Sequence, residues 1–319
     1  MKKQITPSFV KNTSCLENIL CTILRAENND MKADHRMLFL DHWNMNYSDD
    51  YDDLGDKIKF FDDYMVGKLL SNFQTYYGMK CEYEYHIEPF HYNYLSELFN
   101  NQDFVILCID AFELKNLALY KKYHVPHYVL ITDISKEGIC CIDYAEELLI
   151  DIDHYNRGAS HFICVNTDEE KINPCLWAAD LEKRIEIIVQ TKTVFNNIRK
   201  FADQLDNTDK LFMELNNISK DDVLLLRLPN SLTAVGASRY HFNRAIQNIP
   251  DIPLTAKASE DEMDIISKGW FDIIKKIIKF KFNHKEQIIL DVQKTVFELC
   301  EKEESLAKQL LKLLRIERS

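Results

Sequence analysis

The sequence predicts an α+β protein in which one helix and an antiparallel sheet precede an all-helical region. Apolar residues recur at helical spacing in residues 13–26, whereas residues 81–165 break into short runs of β-branched and aromatic side chains. Helical periodicity returns after about residue 170. We therefore expect a first domain over residues 1–170 and a helical domain over residues 171–319.

Two helices are expected before the sheet. In the first, an i, i+3, i+4 stripe would face the core, and it consists of Leu16, Ile19, Leu20, Ile23 and Leu24. Asn12, Thr13 or Ser14 can cap its amino terminus. An acidic and aromatic stretch follows, and a second helix is expected over residues 58–78, with Gly78 at its end.

Five strands and four helical segments are expected after this point. The strands are CEYEYHI, DFVILCID, HYVLITDI, GICCIDY and SHFICVN, and SKEG marks a hairpin turn between the third and the fourth. The helical segments are LEKRIEIIVQTKTVFNNIRKFADQL, RYHFNRAIQNI, EDEMDIISKGWFDIIKKIIKF and EQIILDVQKTVFELCEKEESLAKQLLKLLR. PDIP at 250–253 interrupts this series.

Composition excludes several classes of protein. The formal charge of −12 opposes nucleic acid or an anionic membrane as the main partner. No apolar run reaches the ~20 residues that span a bilayer, and MKKQITPSFVKN lacks the apolar segment of a signal peptide. The nine cysteines are odd in number and form no CxxC pair, which opposes a disulfide framework or a zinc ribbon. We therefore expect a cytoplasmic protein.

A candidate nucleophile stands at the start of the first helix. A thiol attacks a carbonyl as the thiolate, and the unpaired N–H groups and dipole of a helix amino terminus favour that form. Cys15 occupies this position. The alternative is a structural cysteine at a helix start, which is a common arrangement.

A histidine and an aspartate on the predicted hairpin can assist this thiol. His127 opens the third strand directly after a proline, and Asp143 ends the apolar run of the fourth. If the loop holds the odd number of residues 134–138, then Asp133 faces Ile139, and His127 and Asp143 are diagonal neighbours within about 7–8 Å. An even loop would place them on opposite faces. The alternative is a solvated strand-end histidine and a solvated turn aspartate.

Together these features resemble the C39-like branch of papain-like cysteine peptidases. The sequence is most similar to the butirosin biosynthesis protein H type, and it is also similar to the amide-forming enzyme of the closthioamide pathway. The matching segments are SCLENIL, IDAFELKNLALYKKYHVPHYVLITDISKEGICCIDY and, more loosely, GASRYHFNRAI and SKGWFDIIKKI. The resemblance implies a papain-like catalytic domain followed by a helical domain. It also implies a triad in which Cys15 is the nucleophile, His127 the base and Asp143 its orienting carboxylate.

The sequence departs from this family in two places. C39 peptidases carry a glutamine a few residues before the cysteine, where its amide helps to bind the oxyanion. Here PSFVKNTS precedes Cys15, and Gln4 lies too far back to match. Asn12 could supply the amide donor beside the backbone N–H of Cys15. Tyr144 stands where a proline often follows the aspartate.

Other candidate sites are weaker. The pairs His124 with His127 and His86 with His91 lack a completing ligand at zinc spacing, so no metal is expected. SDDYDDLGD lacks a glycine at the turn position of a calcium loop and a terminal glutamate at the right offset, so a solvated acidic loop is expected. Two further pairs of residues are candidates for the active site, although each pair could instead consist of ordinary surface or core residues. They are Asp110 and Glu113, which could contact an amine, and Tyr240 and His241, which could line the active site.

The expected function is amide formation in natural-product biosynthesis. An acyl group would pass from a carrier-protein thioester to Cys15 and then to a small amine, and no cofactor is needed because the thioester is already activated. The alternatives are a peptidase or amidase with the same triad and an inactive papain-like binding protein. Residues 270–319 hold 11 Lys and Arg against 8 Asp and Glu, and Lys275, Lys276 and Lys279 share part of one helix face there. This face could dock an acidic carrier, or it could simply be solvated.

Overall fold

The computed structural model describes residues 5–7, 9–28, 35–59, 63–85, 89–167, 176–216, 226–247, 249 and 260–316. In chain order the helices are α1 (Cys15–Asn28), α2 (Leu54–Lys57), α3 (Asp63–Tyr77), α4 (Tyr92–Asn101), α5 (Ile152–Gly158), α6 (Trp177–Thr191), α7 (Thr193–Gln204), α8 (Thr208–Asn216), α9 (Arg227–Gln247), α10 (Glu260–Asn283) and α11 (Glu286–Ile316). The strands are β1 (Asn46–Tyr47), β2 (Ile58–Lys59), β3 (Met79–Glu84), β4 (Phe104–Asp110), β5 (Pro126–Ile134), β6 (Gly138–Asp143), β7 (Glu146–Asp151) and β8 (Ala159–Thr167). The protein is a mixed α+β protein and mostly helical.

The chain divides into two compact units. The sheet unit comprises residues 1–38 and 70–172, and the helical unit comprises residues 39–69 and 173–319. The division expected from the sequence, at residue 170, assigned residues 39–69 to the first domain. The structure groups this segment with the helices instead, because Trp43 donates a hydrogen bond to Glu303 of α11 and Phe39 stacks on His241 of α9.

The sheet unit is built on six antiparallel strands in the order β3-β8-β4-β5-β6-β7. All five predicted strands are confirmed, and β7 adds a sixth that the sequence analysis missed. One face of the sheet forms an apolar core with α4 and α5, in which Leu95, Phe99, Val105, Val129 and Phe162 are buried. The sequence analysis did not predict α4 or α5. The first helix, α1, packs against β5.

The predicted helices are confirmed with three corrections to their bounds. The helix expected from RYHFNRAIQNI begins at Arg227 rather than at Arg239, and the short helices α2 and α8 were not predicted. The stripe of α1 is buried throughout, as expected. The second helix begins at Asp63 rather than at residue 58, because Ile58 and Lys59 pair with β1. The long helical segment after residue 180 is two helices, since Lys192 adopts the left-handed conformation (φ 54°) that ends α6. PDIP lies outside the described residues.

A buried polar cluster holds the helical unit together. Glu303 on α11 accepts hydrogen bonds from Nε1 of Trp43 at 2.8 Å and Nε1 of Trp270 at 2.9 Å. It also pairs with Arg239 of α9 at 2.9 Å, and both side chains are fully buried. A buried charge is tolerated only when it is paired and hydrogen-bonded. These bonds meet that requirement. Through Glu303 they connect Trp43 to α9, α10 and α11. No helix within the described ranges is long and apolar enough to cross a membrane.

Candidate active site

Cys15 is the first residue of α1, and a reciprocal capping box fixes the start of that helix. The backbone N–H of Glu17 donates to Oγ of Ser14 at 3.3 Å, and Oε2 of Glu17 accepts from the N–H of Ser14 at 2.6 Å. The helical ladder begins with the bond from Asn18 N–H to Ser14 O. The N–H of Cys15 is therefore one of the amide groups at the start of α1 that have no acceptor within the helix. The sequence SCLE carries this S-x-x-E signal, which the sequence analysis overlooked.

The loop before Cys15 is anchored to α1. Val10 donates its N–H to Oδ1 of the buried Asn18 at 2.9 Å, and Thr13 Oγ1 donates to the carbonyl of Val10 at 2.7 Å. Asn12 lies in this loop in the left-handed conformation, with φ at 62°, which asparagine tolerates better than most residues. Its oxyanion role stays a prediction, and Gln4 lies outside the described residues.

His127 and Asp143 meet on the hairpin of β5 and β6. Nε2 of His127 lies 2.9 Å from Oδ1 of Asp143, and both side chains are buried. The pairing of Leu130 with Ile142 puts both residues on one face of the sheet, as the sequence analysis expected.

The turn that produces this pairing differs from the predicted one. Ile134 pairs with Ile139, so the loop comprises the even number of residues 135–138, and the prediction of an odd loop was wrong. A β-bulge at Thr132, between the pairs of Ile131 and Asp133, inserts one extra residue and restores the register.

Cys15 is the second side chain that acts on the titration of His127. Burial opposes the charged ring, but the hydrogen bonds to Asp143 and Cys15 and their negative charges outweigh it, and they raise the pKa of His127 to about 10. Because Nε2 is engaged by Asp143, Nδ1 is the ring nitrogen available to Cys15. The ring therefore lies between a thiol and a carboxylate, in the order that nucleophile, base and orienting group require.

Asp143, the carboxylate that is hydrogen-bonded to His127, also accepts a hydrogen bond from Asn116. Nδ2 of Asn116 donates to Oδ2 of Asp143 at 3.1 Å. Asn116 lies in the loop between β4 and β5. The start of this loop is anchored by the buried Glu113, which accepts from Lys121 at 2.9 Å and from Arg157 at 3.0 Å. Sequence reasoning missed Asn116, because nothing in its local pattern distinguishes it from a loop asparagine.

Two tyrosines and a second thiol surround Cys15. Burial and then the neighbouring charge of Cys15 raise the pKa of Tyr144, whose ring lies 6.4 Å from that of His127. Burial raises the pKa of Tyr128, and its neighbours Cys108 and Cys15 raise it further. Both phenols therefore stay neutral at physiological pH.

Glu113, which the sequence analysis considered as an amine contact, is not available for that role. Its carboxylate is buried, and its partners Lys121 and Arg157 hold its pKa below the ordinary value against the effect of burial. Asp110 remains partly exposed and pairs with His124.

The histidines considered as metal ligands are used in other ways, as far as they are described. His91 caps α4 by accepting from the N–H of Tyr94, and His86 lies outside the described residues. His124 pairs with Asp110, and His127 with Asp143. Over the described part of the chain, no three His, Cys, Asp or Glu side chains gather as metal ligands would.

Several other candidates belong to the helical unit. Within SDDYDDLGD, the N–H groups of Leu54 and Gly55 donate to the carboxylate of Glu214. His241 is buried and stacks on Phe39 at 4.4 Å, and Tyr240 is half-buried beside Arg244. None of these contacts involves the triad.

The predicted docking lysines lie on α10. Lys275 pairs with Asp272 at 2.8 Å, Lys276 donates to Oγ1 of Thr295 at 3.2 Å, and Lys279 is exposed. Lys281, a further lysine of α10, is buried and donates a hydrogen bond to the backbone carbonyl of Leu215. It therefore cannot take part in docking.

Comparison of the sequence with known protein families and with curated proteins finds no match. The chemistry of the site is therefore argued from its own geometry. A thiol, an imidazole and a carboxylate in series, with an unpaired N–H at the thiol, can form and break an acyl–sulfur bond.

Proposed function

We propose that this protein is a cysteine-dependent acyltransferase that forms amides. The acyl group would come from a carrier-protein thioester, rest on Cys15, and pass to a small amine. The observation that carries this proposal is the position of His127, which lies 2.9 Å from Asp143 and near enough to Cys15 for that thiol to raise its pKa. We further infer a papain-like fold for the sheet unit from its family resemblance, and a cytoplasmic location from the composition and cysteine usage of the sequence.

In the first half of the reaction, the thiolate of Cys15 attacks the thioester carbonyl. The developing oxyanion is stabilised by the N–H of Cys15, and the Asn12 amide is the candidate second donor. The protonated His127 then gives its proton to the departing thiol, which leaves Cys15 acylated. Asp143 stabilises the imidazolium and, with Asn116, fixes the angle of the ring.

In the second half, an amine attacks the acyl-Cys15 carbonyl. His127 takes a proton from the attacking nitrogen and returns it to the sulfur of Cys15 as the carbon–sulfur bond breaks. Amide formation requires that the amine react faster than water. Tyr144 and Tyr128, whose phenols are largely buried and whose pKa values Cys15 raises, are the side chains that we propose to restrict the entry of water.

The proposal is tested by mass spectrometry of the intact protein. The full chain is incubated with an acetyl thioester of N-acetylcysteamine and then with an amine. We expect an acetyl adduct on Cys15 that disappears as amide is released. Loss of the adduct to acetate alone would indicate a hydrolase, and no adduct on wild-type protein would indicate a binding protein.

A further inference from the structure

A second histidine–carboxylate pair lies near the triad. Nδ1 of His124 is 2.6 Å from Oδ2 of Asp110, although 71% of the His124 side chain is exposed. The imidazole also stacks on Phe112, with ring centroids 4.2 Å apart and an interplanar angle of 15°. An exposed side chain normally loses such order to rotamer entropy. Two separate contacts therefore hold this ring in one orientation.

The orientation of the Asp110 carboxylate, which pairs with His124, is fixed by a hydrogen bond from the backbone. Oδ1 of Asp110 accepts the N–H of Phe112 at 2.9 Å, which caps the short 3₁₀ turn Ala111–Glu113. Lys121, whose Nζ lies 4.6 Å from the centre of the Phe112 ring, is compensated by Glu113 at 2.9 Å. Since Nδ1 faces Asp110, Nε2 is the nitrogen of His124 that can accept a proton from an external group.

The strand register brings this pair towards Cys15. On β4 and β5, Cys108 pairs with Tyr128, and Asp110 pairs with Pro126. Residues two apart on a strand share a face and lie about 7 Å apart. Beyond the effect of burial, Cys15 raises the pKa of Cys108 and Tyr128, and also that of His127, which adjoins Pro126 on β5. Asp110 therefore lies one step along the same face, at the end where the loop to β5 carries His124.

Amide formation creates a need for a second base. A primary alkylamine reaches the enzyme as an ammonium ion and cannot attack until it has lost a proton. The attacking nitrogen then loses another proton when the carbon–nitrogen bond forms. His127 moves this second proton to the sulfur of Cys15. The first proton needs a different acceptor, whereas hydrolysis by water does not present this demand.

We propose that His124, positioned by Asp110, is the base that deprotonates the ammonium form of the amine acceptor. The proton passes from the ammonium nitrogen to Nε2 of His124 and then to solvent. The neutral amine forms the carbon–nitrogen bond with acyl-Cys15 as the carbon–sulfur bond breaks. Imidazole suits this exchange because it gains and loses protons near neutral pH. This inference rests on the proposed acyltransferase function.

The test separates proton removal from every other step. Wild-type protein and the variant His124→Gln are acetylated on Cys15 with the N-acetylcysteamine thioester and then mixed with ethanolamine or hydroxylamine at neutral pH. Ethanolamine is an ammonium ion there, and hydroxylamine is mostly neutral. We expect His124→Gln to lower the rate with ethanolamine about 100-fold and to leave the hydroxylamine rate within about 2-fold. Asp110→Asn should give the same split with a smaller loss, since it acts only through His124.

The matched control is His91→Asn, an exposed histidine of the same unit whose cap an asparagine can replace. It should leave both amine rates unchanged. Equal losses with both amines, or no loss with ethanolamine, would overturn the role of His124 while leaving the acyltransferase proposal standing. Failure of the wild-type protein to acetylate at Cys15 would instead overturn the acyltransferase proposal and this inference with it.

Discussion

Asn116 donates a hydrogen bond to Oδ2 of Asp143 over 3.1 Å, so the carboxylate that orients His127 is fixed from behind. Removing this donor leaves one oxygen of a buried carboxylate without its partner. We expect Asn116→Ala to lower the rate of Cys15 acylation roughly 10-fold, which corresponds to about 1.4 kcal/mol. Asn93→Ala, an exposed asparagine on α4, is the control. An unchanged acylation rate in Asn116→Ala would show that Asp143 needs no support.

Cys15 should be the most reactive thiol of the chain. Burial raises the pKa of Cys81 to about 12 and of Cys164 and Cys300 to about 11, and it also raises the pKa of the half-exposed Cys140. With limiting iodoacetamide at neutral pH, peptide mapping should find the label first on Cys15. Cys140→Ala should label as fast as wild type, and Cys15→Ala should lose both fast labelling and turnover. Cys175 lies outside the described residues, and preferential labelling there would contradict the assignment.

His127 and Asp143 should contribute unequally. His127→Ala removes the proton carrier and should lower acylation by roughly 1,000-fold or more. Asp143→Asn keeps an oxygen near Nε2 and removes only the charge, so we expect a loss of roughly 10- to 100-fold. Equal losses in the two variants would contradict the division of roles.

The pH profile provides an independent check of the same pair. Acylation needs the protonated His127, whose pKa is raised to about 10, so the rate should fall as pH rises through that value. Asp143→Asn removes a charge that favours the imidazolium. The alkaline limb of its profile should therefore move to lower pH. A limb that stays in place would mean that Asp143 does not control the protonation of His127.

Docking of a carrier on α10 remains a prediction. Replacing Lys275, Lys276 and Lys279 with Glu should slow acylation by an acidic acyl-carrier sharply, with a loss that salt reduces, and should spare the N-acetylcysteamine thioester. The matched control replaces the exposed Lys294, Lys302 and Lys312 of α11 with Glu, which makes the same change in total charge. Equal slowing by both triple variants would remove α10 as the docking surface.

The buried cluster of the helical unit should be sensitive to the loss of its carboxylate. Glu303→Ala leaves Arg239 charged and unpaired in the interior, together with two unpaired indole N–H groups. We expect the free energy of unfolding in urea to fall by about 3–5 kcal/mol. Glu301→Ala, an exposed change on the same helix, should alter it by less than about 0.5 kcal/mol.

The hairpin shows how far sequence reasoning reached. Alternation of apolar residues placed β5 and β6 correctly, and the diagonal relation of His127 to Asp143 followed from it. The supposed odd loop was wrong, and the bulge at Thr132 compensated for that error. Bulges depend on the packing of both faces rather than on a local motif, and for that reason the sequence did not reveal this one. The hydrogen bond from Asn116 to Asp143 joins residues that are 27 positions apart in the sequence. It was not predicted because it, too, depends on tertiary packing rather than on a local motif.

Helices were predicted well where a long apolar stripe marked them, as in α1, α10 and α11. α4 and α5 were missed because each is short and lies among strand-forming residues. The grouping of residues 39–69 with the helices was missed for another reason. It depends on the hydrogen bond that Trp43 donates to the carboxylate of Glu303. No local sequence pattern predicts a contact between residues so far apart in the chain.

Trp43 meets its acceptor, Glu303, 260 residues further along the chain. A ribosome that adds about 5–20 residues per second therefore needs roughly 13–52 seconds to make the acceptor after it has made the tryptophan. Until α9 and α11 have been made, Phe39 lacks its stacking partner His241 and Trp43 lacks its acceptor Glu303, although Phe39, Leu40 and Trp43 are all buried in the finished protein. The nascent chain thus carries an uncovered apolar segment through most of its synthesis, and this segment is where a chaperone that binds apolar sequences would attach.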